Sequence, residues 1–306
     1  YHSIDANLLK LDELGHDDPT MIKHLENLTG VNAQEIPLDD PDTMSLFHSC
    51  KALKYTGENP DTDPILGDLG CLAVPEFGTK FVRGMVKETK PSTFAELVSI
   101  SGLSHGTDVW LGNAQELVHK GIPLSGCICC RDDIMNYLIL QGVQPKLSFK
   151  TMESVRKGKG LTEEMEAAMR EQNVPDWYID SCKKIKYMFP KAHAVAYVMM
   201  AFRIAWFKVH RPLAFYSAYF SVRAKGFDAS CMIKGDKVCI DKIKELQMKD
   251  REKTITAAEK EMMTTLEVCH EFYRRGIVFE PMDIYTSDAT DFIVTENGLI
   301  PPFTSM

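Results

Sequence analysis

The 306 residues, 44% apolar and 25% charged, suffice for one large or two ordinary domains around a packed core and exclude a disordered chain. A formal net charge of −8 argues against a protein that coats nucleic acid indiscriminately. No apolar run reaches the roughly eighteen residues of a membrane span, because His193, Arg203 and Lys208 interrupt the most apolar stretch near 192–207, so a soluble protein with no membrane partner is expected.

In chain order, residues 7–14 alternate as a strand does, and Gly15 ends them. Lys10 and Asp12 then share one face, with Leu9 and Leu11 on the other. Asp18 is placed to cap a helix opened by Pro19 and running through Thr29, with Gly30 as its stop. Asp40-Pro41 repeats the device for a helix reaching about Cys50. Residues 53–78, rich in Gly, Pro, Asp and Thr, form a long connection with one short strand at Cys71–Val74. Helical spacing then predicts segments at 80–88, 93–100, 108–119, 131–141, 146–156, 162–172 and 176–188, the second opened by the capping box Thr93-x-x-Glu96. Two buried helices follow, 191–210 and 213–223, divided by Pro212, and an amphipathic helix over 256–275 stops at Gly276. Strands at 291–294 and 299–300 flank Asn297-Gly298, a strong hairpin signal. The fold class is mainly α (α+β), with strands at both ends.

Nine cysteines without regular spacing fit a reducing compartment, hence the cytoplasm. Cys127, Cys129 and Cys130 invite a zinc reading, but the paired C-x-x-C spacing that tetrahedral zinc favours is missing. Charge is unevenly placed. Residues 1–45 carry ten acidic groups against Lys10 and Lys23, whereas residues 146–211 carry thirteen Lys or Arg against seven Asp or Glu. This suits metal-binding carboxylates facing a phosphate-binding surface, or simply solvated helix faces of opposite sign.

Three places hold chemistry. Asp12 beside Lys10 on a strand is a Mg²⁺ ligand next to a phosphate contact, or an ordinary surface strand. Arg156-Lys157-Gly158-Lys159-Gly160 combines cations with close-approach glycines without the spacing of a P-loop; the alternative is a solvated helix end. Pro190-Lys191-Ala192-His193 starts a helix whose free amides attract anions, with Tyr197 one turn after His193 for stacking, or the histidine and tyrosine are core residues. Together they are the parts of a site for a nucleoside triphosphate with Mg²⁺.

These residues also resemble a family. Asn7 to Asp12 followed by Leu14-Gly15-His16-Asp17-Asp18-Pro19-Thr20, then Pro75-Glu76-Phe77-Gly78-Thr79-Lys80, Ile100 to Leu117, Cys130 to Met135, Met152 to Leu161 and Met188 to Ala194 are similar, in order, to the C family of bacterial replicative DNA polymerases and within it the PolC type. The resemblance implies a fragment holding the last strand and helix of the palm (1–30), the helical fingers (31–245), and a linker helix with a β-hairpin leading to a truncated helix-hairpin-helix region (246–306). It implies Mg-dependent nucleotidyl transfer in DNA replication, with dNTP and template-primer DNA as partners. Contacts with a sliding clamp and other replisome subunits would run through regions not in this chain. By resemblance Asp12 binds metal and, with Lys10, is catalytic, while Arg156, Lys157, Lys159 and Lys191 meet phosphates. His193 and Tyr197 meet sugar and base, and Ser104 and His105 line the same pocket. The other two catalytic aspartates of the family lie upstream of the matching residues, so the excerpt alone is expected to be inactive. A non-catalytic helical DNA- or partner-binding module is the alternative.

Overall fold

The computed structural model describes residues 15–306, and among them are fourteen α-helices and one three-stranded sheet. The predicted strand carrying Lys10 and Asp12 lies outside the described residues. Helices α1 (Asp18–Thr29) and α2 (Pro41–Ser45) precede a helix-poor stretch, after which α3 (Lys80–Thr89), α4 (Phe94–His105), α5 (Gln115–His119), α6 (Arg131–Leu140), α7 (Pro145–Arg156), α8 (Glu163–Glu171) and α9 (Asp176–Lys184) follow at short intervals. Only Arg211 separates α10 (Lys191–His210) from α11 (Pro212–Val222); α12 (Ala229–Met232), α13 (Asp236–Arg251) and α14 (Ala257–Arg274) complete the series.

Helix α10 organises the rest. Its length and mean hydropathy of 1.2 would let it cross a bilayer, yet it is the core helix here, packed against α1, α2, α4 and α11. Ala194, Ala201 and Ala205 on it are fully buried, and such small side chains let neighbouring helices approach closely. Phe202, Ile204 and Phe207 fill the space between, each burial contributing about 1.5–3 kcal/mol. Lys208, read from sequence as a break in the apolar run, is itself fully buried. Its ammonium donates to the carbonyls of Gly70 at 2.7 Å and Leu72 at 2.5 Å and pairs with Glu271 at 2.8 Å. Tyr55 and Tyr216 donate to the same carboxylate, so α10, α11, α14 and the loop near 71 are tied at one point.

Caps explain most boundaries. Thr79, Thr93, Thr162 and Thr256 each accept from a first-turn amide, and Thr93–Glu96 and Thr256–Glu259 close full capping boxes. Four readings change. Asp18 is the first residue of α1, makes no cap bond and is fully buried, so it is an interior group and not a surface cap. Helix α2 stops at Ser45, where the chain turns so that Leu46 can accept a bond from Gly70 at 2.8 Å. Residues 71–74 form a turn instead of a strand: Val74 donates to Cys71 at 3.1 Å, and Ala73 has φ +61°. The helix predicted over 108–119 is broken by Leu111 and Gly112, leaving only α5 regular. The hairpin is present as β2 (Ile293–Val294) antiparallel to β3 (Gly298–Ile300), with Val294 opposite Leu299, and β1 (Val278–Phe279) adds a parallel edge.

Candidate functional site

Pro190 caps α10 by its fixed backbone angle, and the first turn projects side chains in opposite directions. Lys191 turns toward α6, where its ammonium meets Asp133 at 3.0 Å, while its backbone amide donates to Asp132 at 2.8 Å. One of the amides expected to hold an anion therefore already has a carboxylate. Burial alone would lower the Lys191 pKa, but Asp133 outweighs it and raises it, so the cation persists. Asp133 also accepts from the amides of Cys129 at 3.1 Å and Cys130 at 2.8 Å, which caps the start of α6.

His193 and Tyr197 occupy the other face, and here rings accumulate. His105 stacks on Phe189 at 4.6 Å, Phe189 on Tyr197 at 6.2 Å and Tyr197 on His16 at 5.0 Å, all within about 25° of parallel. His193 stands edge-on to Phe189 at 6.0 Å and is exposed at the rim. His105 is held in place by Ser101, whose carbonyl lies 2.8 Å from Nδ1, and by Glu76, 3.3 Å from Nε2. Ser104 lies beside it, 3.1 Å from Nδ1, and donates to the Ser101 carbonyl at 2.9 Å. The rings thus come from the segment before α1 (His16), the end of α4 (His105), the segment before α10 (Phe189) and α10 itself (Tyr197, His193), and form one polar-edged aromatic wall.

The cationic loop after α7 abuts this wall from below. Gly158 has φ +69°, and a Cβ there would lie 2.5 Å from the Lys186 carbonyl, so only glycine lets the loop touch the segment leading to Phe189. Thr107 pairs with Tyr187 in the same segment, donating at 2.9 Å. Arg156 grips Glu153 with two nitrogens, and Lys157 meets the same carboxylate at 2.9 Å. The Arg156 hydrogen bonds hold Glu153 well below the usual carboxylate range, at about 2. Arg156 and Lys157 are therefore pre-positioned as a pair, whereas Lys159 is exposed and has no ion-pair partner among the described residues.

The structure thus brings His105, His193 and Tyr197 together and sets Arg156, Lys157 and Lys159 against their base, with Lys191 on the opposite helix face. Asp12 and Lys10 lie outside the described residues. Phe189, His16 and Arg131 also reach this region and were not singled out from the sequence; Arg131 donates its amide to the Phe189 carbonyl at 3.1 Å. Phe189 could have been found, since it stands directly before the helix-opening proline. Cys127, Cys129 and Cys130 are buried, and burial pushes the thiols of Cys127 and Cys130 up to about 11 and about 12. Among the described residues no cluster of three or more His, Cys, Asp or Glu is arranged to hold a metal.

Residues 18–174 match the family described as bacterial DNA polymerase III alpha subunit finger domain. Over its whole length the chain is 56% identical to "DNA polymerase III PolC-type" of Bacillus subtilis, 57% to that of Caldanaerobacter subterraneus subsp. tengcongensis and 56% to that of Staphylococcus haemolyticus. It spans about a fifth of those relatives, 21% of each.

Proposed function

The chain belongs to the bacterial DNA polymerase III alpha subunit finger-domain family, and on that premise we propose that it is the nucleotide-gripping part of a PolC-type replicative DNA polymerase. The activity would be addition of deoxynucleotides to a primer 3′ end. The observation that carries the reading is the ring wall of His105, Phe189 and Tyr197 with the cationic loop of Arg156, Lys157 and Lys159 locked against its base through Gly158.

A flat base has a surface to stack on and exposed His193 offers an edge to sugar or base, while cations at the loop neutralise the phosphates. Pre-positioning matters because donors already fixed where charge develops need no reorganisation as pyrophosphate leaves. Mg²⁺, held by Asp12 with Lys10 on the phosphates, belongs to this proposal through the family, and so do the cytoplasmic setting, the template-primer and replisome partners, and the division at residues 30 and 245. The described residues supply no metal cluster, so what they contribute is grip and orientation.

Binding of a fluorescent dNTP with Mg²⁺ tests the reading. Saturable binding by the full chain is expected, weakened about tenfold or more by Lys159→Gln or by His193→Ala. Salt-sensitive duplex binding with no dNTP binding would instead make the chain a helical DNA-binding module.

A further inference from the structure

A cavity of about 400 Å³ lies between the loop at 72–80 and helices α11 and α14. Three cations reach its wall: Lys80, Arg83 and Arg223. Two carboxylates share the lining, Glu76 and Glu267, and Glu267 lies 3.8 Å from an Arg83 nitrogen, so three cations face two carboxylates. Glu76 is drawn outward to Ser101 and His105, each at 3.3 Å. Burial pushes the pKa of Glu267 up, against the pull of Arg83 and Lys80, which brings it closer to neutrality.

Arg83 and Arg223 have carboxylate partners in Glu267 and Asp18, yet some donors in this cavity remain open. Arg83 gives one nitrogen to the Leu66 carbonyl at 3.1 Å, yet its Nε is buried and has no hydrogen-bond partner among the described residues. Lys80 is exposed and has no ion-pair partner among them. Helix α3 begins on this wall, and Thr79 caps only the Val82 amide at 3.3 Å, so the amides of Lys80 and Phe81 have no protein acceptor among the described residues. A buried donor without a partner costs free energy that an incoming acceptor recovers. Three cations and open N–H groups disfavour a metal ion, and an apolar ligand would leave those donors unmet. An oxyanion with several acceptor oxygens meets them.

We propose that this cavity is a phosphate-binding site separate from the ring wall, taking a phosphoryl group from a free pyrophosphate-like anion or from the backbone of a nucleic-acid strand. The volume admits either, and the openness of Lys80 to solvent provides a way in. The site sits back to back with the ring wall through two short connections. Arg223 lies 3.6 Å from buried Asp18, which lies 3.4 Å from His16, the ring stacked on Tyr197. Glu76 likewise joins the cavity to His105.

The test titrates the full chain with inorganic pyrophosphate by calorimetry and with a short fluorescent oligothymidylate by anisotropy. Lys80→Gln changes an exposed side chain, and Arg223→Gln is combined with Asp18→Asn so that no buried carboxylate is stranded. Each is expected to weaken pyrophosphate, oligonucleotide or both by about tenfold or more, with Lys244→Gln, which removes an exposed cation of α13 outside the cavity, unchanged. Loss confined to pyrophosphate identifies a free anion as the source; loss confined to the oligonucleotide identifies a strand phosphate. The proposal is overturned if neither probe binds saturably, if the cavity variants bind like the parent, or if Lys244→Gln loses as much as they do. Because dNTP is not a probe here, failure of the dNTP experiment leaves this result independent.

Discussion

His270 illustrates how a single side chain can join segments far apart in sequence. Its Nδ1 meets Asp236 at the start of α13, and its Nε2 meets Asp63 in the long connection at 3.1 Å, with Arg274 a further 3.2 Å from Asp63. Burial alone would lower its pKa; the Asp236 hydrogen bond and the charges of Asp236 and Asp63 outweigh burial and raise it above 6.5. The folded state therefore holds the proton more tightly than the unfolded one. The stabilisation is complete below about 6.5 and is lost as pH rises through the folded value. Urea denaturation across pH 6 to 9 should show stability falling with pH in the parent and a flatter profile in His270→Gln, which also costs about 1–3 kcal/mol at pH 6. An unchanged slope in the variant would assign the pH dependence to other groups. None of this was readable from the sequence, where His270 is one of nine histidines and Asp63 lies in a stretch without periodicity. Lys208 was hidden for the same reason: its acceptors stand some sixty or more residues away, beyond any local pattern.

Elements were legible where the information is local. The capping box at Thr93, the proline breaks at 190 and 212, and the Asn297-Gly298 turn each act within a few residues and fixed their boundaries. Helix α13 was missed because it is strongly charged and buries only Cys239, Ile243 and Leu246, too thin a stripe to stand out. Residues 71–74 look like a strand by composition, but Lys208 claims the carbonyls of Gly70 and Leu72 that a neighbouring strand would need. The cationic loop lay between these cases: its glycines were visible, while the carbonyl that makes one of them obligatory was not. Gly158 and Gly160 have nearly equal φ, +69° and +71°, but only Gly158 has a neighbour in the way of a Cβ. Gly160→Ala should therefore cost about 1 kcal/mol of backbone strain, and Gly158→Ala about 2–4 kcal/mol, since the Lys186 carbonyl must move as well. Comparing the two by urea denaturation isolates the close approach. Equal costs would mean that the loop is not locked to the segment before Phe189.

For the whole molecule, the charge reading needs revision in degree. Seven of the thirteen cations in 146–211 are engaged by nearby carboxylates: Arg156, Lys157, Arg170, Lys183, Lys184, Lys191 and Lys208. The basic surface is thus smaller than composition suggests, and near the ring wall Lys159 and Lys186 are exposed without an ion-pair partner among the described residues. The wall itself draws on α4, α10 and the segments just before α1 and α10, and α10 runs from the candidate site at its first turns to the Lys208–Glu271 core at its last. A ligand that fixes the start of α10 against the end of α4 and the segment leading into α1 opposes their separation during unfolding, so binding should register as global stability. At a dNTP concentration a hundred times the dissociation constant, linkage adds about 2.7 kcal/mol, or about 4–8 °C in melting temperature for a chain of this size. Thermal unfolding monitored by circular dichroism should show that rise in the parent and lose most of it in Tyr197→Ala, whose own melting temperature sets the baseline. Inorganic pyrophosphate offers the contrasting case: a rise that survives Tyr197→Ala but not Lys80→Gln would place its binding in the cavity beside α3, with the ring wall stabilised only by ligands that carry a base.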